Sequence, residues 1–349
     1  MKSIELKTPY LIFLGEETND GYAKTGFGIV EWRRSLCRGQ MSLKNGTVNL
    51  GLPPMTIKEA AAANVGSLII GTAAVGGGIP DTWIEPLEEA LLAGIDVVGG
   101  VHTRLNSISR FKEAAEKSGA RLVDIRIPPE KLPVASGKKR SGFRLLTVGT
   151  DCGLGKKYTA LALERDMKSV GMNVDFRASG QTGIMIAGKG IPIDAVVTDF
   201  VSGAAELLSP NNEPNHWDVI EGQGGIFHPG YGAVSMGLLV GSQPDAFVVC
   251  HEVGRDHIMG WPNFNTPTIK EVIDRTIQIG SQTNKEIRCV GVSVNTSSLN
   301  SEEREKYLEN LSKEIGLPCV DPLKNGTQKI IDYLNIQFNN SLEKKFNRF

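Results

Sequence analysis

Short apolar runs alternate along this chain with longer stretches whose apolar residues fall at helical spacing. Tyr10 to Gly15 reads as a first buried strand, followed by a polar loop containing Lys24-Thr25-Gly26 and then by Ile29 to Arg34. From Thr56 to Ile127 the alternation is regular. Helical runs Thr56 to Ala63, Trp83 to Leu92 and Ser107 to Ser118 interleave with apolar runs Ser67 to Thr72, Ile95 to Gly99 and Arg121 to Ile127. Strands alternating with helices of this length predict βαβ units, a parallel sheet and right-handed crossovers. No Gly-x-Gly-x-x-Gly fingerprint accompanies this Rossmann-like pattern.

A stretch with no hydrophobic period, PPEKLPVASGKKRSG, separates this region from a second one. Its Pro, Gly, Ser and Lys content marks a linker. The second region begins with the strand Phe143 to Val148 and continues with a helix from about Lys156 to Val170. The strand Asn173 to Ala178 follows and ends in a compact polar turn, Ser179 to Ile186. Beyond it come a helix over Val201 to Leu208, a strand from Trp217, a helix from about Tyr231 to Val240, and a strand over Asp245 to Cys250. Helix Thr268 to Ser281, strand Ile287 to Asn295, helix Ser301 to Ile315, strand Pro318 to Val320 and helix Gly326 to Leu334 complete the pattern. The expected fold class is α/β: a Rossmann-like parallel-sheet domain over residues 1–130, a linker over 131–142, a P-loop α/β domain over 143–335, and a polar, fraying tail over 336–349.

Composition narrows the partners. The chain has 349 residues, with 38 Lys and Arg against 39 Asp and Glu. A net charge of -1 gives no basis for a nucleic-acid or anionic-membrane surface, so the expected partners are small molecules and further copies of the same chain in a homo-oligomer. The charged N-terminus and the brevity of the Tyr10 to Leu14 run predict no signal segment or span and a cytoplasmic location. Five cysteines, Cys37, Cys152, Cys250, Cys289 and Cys319, are scattered without C-x-x-C spacing, as in a reducing compartment without structural zinc.

The chemistry concentrates after the Phe143 strand. Gly149-Thr150-Asp151-Cys152-Gly153-Leu154-Gly155-Lys156-Lys157 lies between a strand and a helix, where glycines let successive N–H groups line a cup closed by the positive end of the helix. Two features depart from the Walker pattern G-x-x-x-x-G-K-[ST]. Five residues separate Gly149 from Gly155, and Lys157 stands where a Ser or Thr would ligate Mg²⁺. An ammonium cannot hold a metal, so the loop reads as a polyphosphate cradle with two lysines. Thr159 would supply a hydroxyl only if the helix began differently. Cys152 lies beside the helix N-terminus, where a thiol pKa can be depressed, although a plain loop residue is the commoner case.

Further candidates stand at strand ends. Glu221 closes the Trp217 strand before Gly222-Gln223-Gly224-Gly225, a Walker-B-like position. His251-Glu252-Val253-Gly254-Arg255-Asp256-His257 follows another strand. Its Arg suits carboxylate or phosphate recognition better than a cation, so no metal site is expected. Gly71 to Pro80 forms a Gly-rich turn that is either a ligand cup or a plain connection. His102, in Gly99-Gly100-Val101-His102-Thr103, is either a ligand group at the carboxyl edge of the sheet or a hydrogen-bonded structural histidine.

The order of motifs, GTDCGLGKKYT, SGQTGIMIAGKGIPIDAVVTDF, DVIEGQGG and HEVGRDH, with GGGIPDTW and GGVHTRL upstream, resembles the P-loop family of D-glutamate N-acetyltransferases, long catalogued as a domain of unknown function. The loop itself resembles that of dethiobiotin synthetase. The family resemblance implies acetyl transfer from acetyl-CoA to the amine of an acidic D-amino acid, in its catabolism. Gly149, Thr150, Asp151, Cys152, Gly153, Gly155, Lys156 and Lys157 would then hold phosphates of coenzyme A. Glu221 would be the general base, with Asp194 and Asp199 behind it. Arg255 and His251, then Arg177 and His102, would bind substrate carboxylates. N–H groups of Gly222 to Gly225 or of the Gln181-Thr182-Gly183 turn would stabilise an oxyanion. Two other classes fit the loop: a Mg-ATP-dependent kinase or ligase, with Asp151 and Glu221 on Mg²⁺, and a non-catalytic nucleotide-binding regulator.

Overall fold

A computed structural model describes residues 3–72 and 77–346, and for 339–346 the backbone alone. The chain forms two compact units. One is built from the chain up to Pro128 together with Gln181–Ala195, the other from Pro129–Gly180 and the chain from Val196 onward.

In the first unit β1 (Tyr10–Gly15), α1 (Lys24–Arg33), β2 (Cys37–Ser42), α2 (Ile57–Ala62), β3 (Ser67–Ile70), α3 (Asp81–Leu92), β4 (Asp96–Gly99), α4 (Ser109–Ser118) and β5 (Leu122–Asp124) alternate. The sheet order is β2-β1-β3-β4-β5, and every pairing is parallel. Its strands read as unbroken apolar runs because helices cover both faces, which is why Leu11, Ile12, Leu68, Ile69 and Val97 are fully buried. Phe13 meets Trp83 of α3 edge-on at 5.2 Å. Thr56 and Glu59 form a capping box that starts α2 where the sequence pattern begins.

The second unit contains β6 (Phe143–Gly149), α5 (Lys156–Ser169) and β7 (Val174–Arg177). After α6 (Gln181–Ala187), which belongs to the first unit, it resumes with α7 (Val201–Leu208), β8 (Trp217–Ile220), α8 (Gly232–Ser242) and β9 (Ala246–Glu252). The hairpin β10 (His257–Ile258) and β11 (Trp261–Asn265) comes next, then α9 (Ile269–Gly280), β12 (Arg288–Asn295), α10 (Ser301–Ile315), β13 (Cys319–Val320) and α11 (Gln328–Phe346). The parallel sheet order β13-β12-β9-β6-β8-β7 puts β6 between β8 and β9. The chain leaves β6 toward one side and later returns on the other, so the carboxyl end of β6 is the topological switch point where α/β ligands bind. No helix among the described residues is long and apolar enough to cross a membrane.

The α/β class and two parallel sheets agree with the sequence pattern, and several details differ. The Lys24-Thr25-Gly26 stretch is the start of α1, not a loop, and its apolar face is mixed with charge. β2 and the β10–β11 hairpin were not foreseen; β2, CRGQMS, carries few apolar residues. The polar turn over 179–186 is mostly α6, and 181–195 clusters with the first unit although its sequence neighbours form the P-loop unit. The backbone of the tail is helical as far as Phe346, where α11 ends. Of the Gly71 to Pro80 turn, residues 73–76 lie outside the described residues.

An ionic belt crosses the amino ends of the strands in the P-loop unit. Arg144, 1% exposed, donates its backbone N–H to Asp245 Oδ2 at 2.9 Å and its guanidinium to the carbonyls of Arg140, Ser141, Gly142 and Pro210. Asp218, fully buried, accepts from Arg177 Nε at 2.6 Å and from Asn212 Nδ2 at 3.1 Å. Removing one partner of such a buried set leaves an uncompensated charge. Asp218→Ala is therefore expected to destabilise the P-loop unit by about 3 kcal/mol, read as a lowered urea midpoint by circular dichroism; an unchanged midpoint would contradict the structural role given to the belt.

Candidate phosphate site at the end of the loop strand

The loop leaves β6 at Gly149 and enters α5 through Gly155, whose φ of +105° is open to glycine but strained for other residues. The first turn of α5 contributes backbone N–H groups and the positive end of the helix dipole. Lys156 is buried, and its Nζ donates to the Asp151 carbonyl at 2.8 Å, which folds the side chain over the loop. Burial lowers its pKa, opposed by the negative potential of Cys152, Cys250, Asp151 and Glu221. Lys157 is half-buried, with Nζ 4.8 Å from the Tyr158 ring centroid. Thr159 is committed below the loop: its hydroxyl donates to the Gly155 carbonyl at 3.1 Å and lies 2.7 Å from Ser293 Oγ.

Asp151 is fully buried and heavily bonded. Oδ1 accepts the Cys152 N–H at 2.6 Å, and Oδ2 accepts Arg255 Nη1 at 3.1 Å and the Met259 N–H at 2.8 Å. Arg255 also grips Glu252 through Nε at 2.8 Å and through Nη2, and Glu252 is held by Asn295 Nδ2 at 3.0 Å. His251 Nδ1 lies 3.1 Å from Thr150 Oγ1. The HEVGRDH segment thus converges on the loop as the sequence suggested, yet its arginine meets two carboxylates of the chain itself. His257 is exposed on the hairpin.

Glu221 leaves β8 beside the loop. Its Oε2 accepts the N–H groups of Ser179 and Gly180, both at 3.0 Å. Gln223 Nε2 donates to Ser179 Oγ at 2.8 Å, and that hydroxyl donates to the Glu221 carbonyl at 2.6 Å. The following turn passes so close to β6 that a Cβ on Gly222 would come within 1.7 Å of the Thr147 carbonyl and 3.1 Å of Lys156 Cδ. Only glycine fits there, and the contact brings the Glu221 turn onto the lysine stem.

Four candidates are placed elsewhere. Arg177 ends β7, but its guanidinium turns back into the belt toward Asp218 and lies 3.5 Å from Asp175. The buried carboxylate on the neighbouring strand draws the side chain back from the strand end. Asp194 and His102 belong to the first unit. There Arg126 Nη1 donates to Asp194 Oδ2 at 2.6 Å and lies 3.2 Å from His102 Nε2, while Arg126 Nε donates to the Gly100 carbonyl at 2.8 Å. With its amide oriented to satisfy both neighbours, Gln181 donates to that carbonyl and accepts from Arg126 Nη2. Arg126 therefore fastens 181–195 to β4, with the His102 ring within hydrogen-bonding distance of the same guanidinium. Asp199 is exposed on the short turn Thr198–Phe200, with no hydrogen bond or ion pair to the loop among the described residues.

His228 is the residue that the sequence did not single out. Buried at 3% exposure, it stacks on Tyr231 at 4.5 Å and meets Trp261 edge-on at 4.6 Å. Nδ1 accepts the N–H groups of Gly230 and Tyr231, both at 3.1 Å, so the proton of the neutral ring resides on Nε2. Nε2 lies 3.9 Å from Asp151 Oδ1. A lone histidine in GGIFHPG carries no spacing signal, and only the fold brings it to the loop. Asp151, Cys152 and His228 place possible ligand atoms within 4.8 Å of one another. The Arg255 guanidinium on Asp151 and the nearby Lys156 ammonium oppose a cation there.

Comparison with known proteins agrees with this geometry. Residues 133–331 match the P-loop domain of DUF1611, described as a domain of unknown function, and residues 40–128 match its Rossmann-like N-terminal domain. Loop, strand order and domain pairing define a P-loop protein with a Rossmann-like companion domain. Proteins named D-glutamate N-acetyltransferase from Tritonibacter scottomollicae and a Pseudoalteromonas species are 44% and 43% identical, each over 94% of this chain and 99% of their own length. A DUF1611 family protein from Anabaena variabilis, solved by crystallography, is 31% identical with a TM-score of 0.85, covering 95% of this chain and 99% of that one. The chain belongs to the DUF1611 family, and the family resemblance read from its motifs is borne out.

Burial holds His228 and His251 below the usual imidazole value of 6.5, with Lys156 adding to the effect at His228 and Arg255 at His251. Between the depressed folded values and 6.5 the unfolded chain binds more protons than the folded one, so unfolding free energy falls as pH drops through that window. Urea titrations from pH 7.5 to 5 are expected to show this loss, and His251→Asn to flatten part of it. Stability that rises on acidification would contradict the assigned environments.

Proposed function

We propose that the chain is a D-glutamate N-acetyltransferase that takes its acetyl group from acetyl-CoA and anchors the coenzyme phosphates in the loop Gly149 to Lys157. The names of the full-length relatives support the reaction. The loop chemistry supports the anchoring. Lys157 replaces the hydroxyl that would hold Mg²⁺, Thr159 is bonded to Gly155 and Ser293, and Asp151 is neutralised by Arg255. A cradle so built suits a phosphate used as a handle better than a metal nucleotide whose phosphate is transferred. That lysine substitution, with the next hydroxyl already engaged, is the observation that carries the reading against the Mg-ATP alternative.

In the reaction the substrate amine must lose a proton before its nitrogen attacks the thioester carbonyl; the C–N bond forms, the C–S bond breaks, and the thiol leaves. Free ammonium groups are mostly protonated at neutral pH, so a base aids the step. Glu221 is assigned that role, with the Ser179 and Gly180 amides fixing one of its oxygens. Lys156 and the first turn of α5 bind and orient phosphate.

The purified protein, given acetyl-CoA and a panel of D- and L-amino acids, is expected to release free thiol with D-glutamate, and to release no phosphate from Mg-ATP under the same conditions. Thiol release independent of any acidic amino acid, or phosphate release from Mg-ATP, would overturn the reading. Glu221→Gln is expected to lower kcat by about 100-fold with coenzyme affinity retained. Lys156→Ala is expected to weaken coenzyme binding by about tenfold or more in calorimetry.

A further inference from the structure

The buried imidazole of His228 is a group that phosphate binding and acyl transfer, as described above, do not use. Its Nδ1 is fixed as an acceptor by two backbone amides, and Tyr231 and Trp261 hold the ring in place. The opposite edge, Nε2–H, is buried and meets no acceptor in good hydrogen-bonding geometry; the Met259 backbone acts on it only as a weak acceptor. Buried donors without a well-placed acceptor are costly and rare in folded proteins. A fully buried carboxylate oxygen, Asp151 Oδ1, stands 3.9 Å away, about 1 Å beyond hydrogen-bonding distance.

Asp151 meanwhile spends its other oxygen on Arg255 at 3.1 Å, a guanidinium that is also bound by Glu252 and keeps part of its surface exposed. Arg255 is the cation of this cluster best shaped to receive a substrate carboxylate in a bidentate pair, yet Asp151 competes for it. A small shift of the Asp151 carboxylate would satisfy His228 and release one edge of Arg255. An anion arriving in the loop drives that shift, because it repels the Asp151 carboxylate and attracts the guanidinium.

Resting on the proposed acetyl transfer, we propose that His228 is a specificity-determining residue of this site. Its Nε2–H donates to the Asp151 carboxylate when phosphate enters the loop, and thereby frees Arg255 for a carboxylate of the acidic amino-acid substrate. His228 touches neither reactant; it acts through Asp151 and Arg255 and is a positioning residue. The order of events follows: coenzyme first, acidic acceptor second.

Two measurements test this. In protein labelled with ¹⁵N at histidine, titration with inorganic pyrophosphate should leave His228 in the Nε2–H tautomer while its Nε2–H proton moves downfield as it gains a carboxylate acceptor. A His228 resonance that stays in place overturns the inference, whatever the enzyme's activity. In steady-state kinetics His228→Phe, which keeps the ring stacking and removes the donor, should raise KM for D-glutamate about tenfold, with kcat and the KM for acetyl-CoA within about twofold. His228→Gln, which restores an N–H near the Nε2 position, should recover most of that loss. An unchanged KM in the Phe variant, or a Gln variant no better than Phe, counts against the role. If wild-type protein releases no thiol with D-glutamate, the acetyltransferase reading falls by itself, and the pyrophosphate titration still decides whether His228 and Asp151 meet.

Discussion

The buried carboxylate of Asp151 is the contact on which the site depends. It receives the Cys152 amide from its own loop, the Arg255 guanidinium from the segment after β9, and the Met259 amide from the hairpin. Three stretches that are remote in sequence are thereby fixed around one phosphate loop. In this structure both oxygens of the deeply buried carboxylate are bonded and the Arg255 guanidinium lies against it, which offsets the cost of burying its charge. The same arrangement makes the aspartate a poor candidate for holding a metal, and that, with Lys157, sets this loop apart from nucleotide-hydrolysing relatives of the fold.

Sheet topology explains why the contact can form. The loop strand β6 lies between β8 and β9, so the turns that follow those strands, with Glu221 on one side and His251 to Arg255 on the other, reach the loop without long insertions. Gly222 completes the arrangement by close approach to Thr147. Below the sheet, the belt of Arg144, Asp245, Arg177 and Asp218 ties the amino ends of the strands, which leaves the carboxyl ends to chemistry. In the first unit Arg126 does comparable work by fastening 181–195 to β4 through Gly100, His102 and Asp194.

Much of the fold was legible because buried parallel strands must be apolar runs alternating with helices; in the structure the Thr56, Thr268 and Asn300 capping boxes mark three of the helix starts. β2 was hidden because Cys37 to Ser42 is mostly polar, and the β10–β11 hairpin because it is short and largely exposed. The loop, Glu221 and the His251 to Arg255 cluster were legible from their places at strand ends. Where the Arg177 side chain lies was not legible, because a strand-end position says nothing about where a long side chain folds, and the buried Asp218 draws it back. His228 was invisible because its meaning lies in a buried N–H facing Asp151, a relation that no spacing in the sequence encodes. Asp194 was read as a second choice for the general base, and its ion pair left no mark in the spacing because Arg126 is distant in the chain.

The central claim is that the loop grips coenzyme phosphate through its lysines without a metal. A crystal structure of the protein with coenzyme A, grown with Mg²⁺ present, tests it most directly. The account predicts phosphate oxygens within about 3 Å of Lys156 Nζ and of backbone N–H groups at the start of α5, with no metal coordinated by Asp151. Coenzyme phosphates bound away from this loop, or a Mg²⁺ ion held between Asp151 and Glu221, would contradict it.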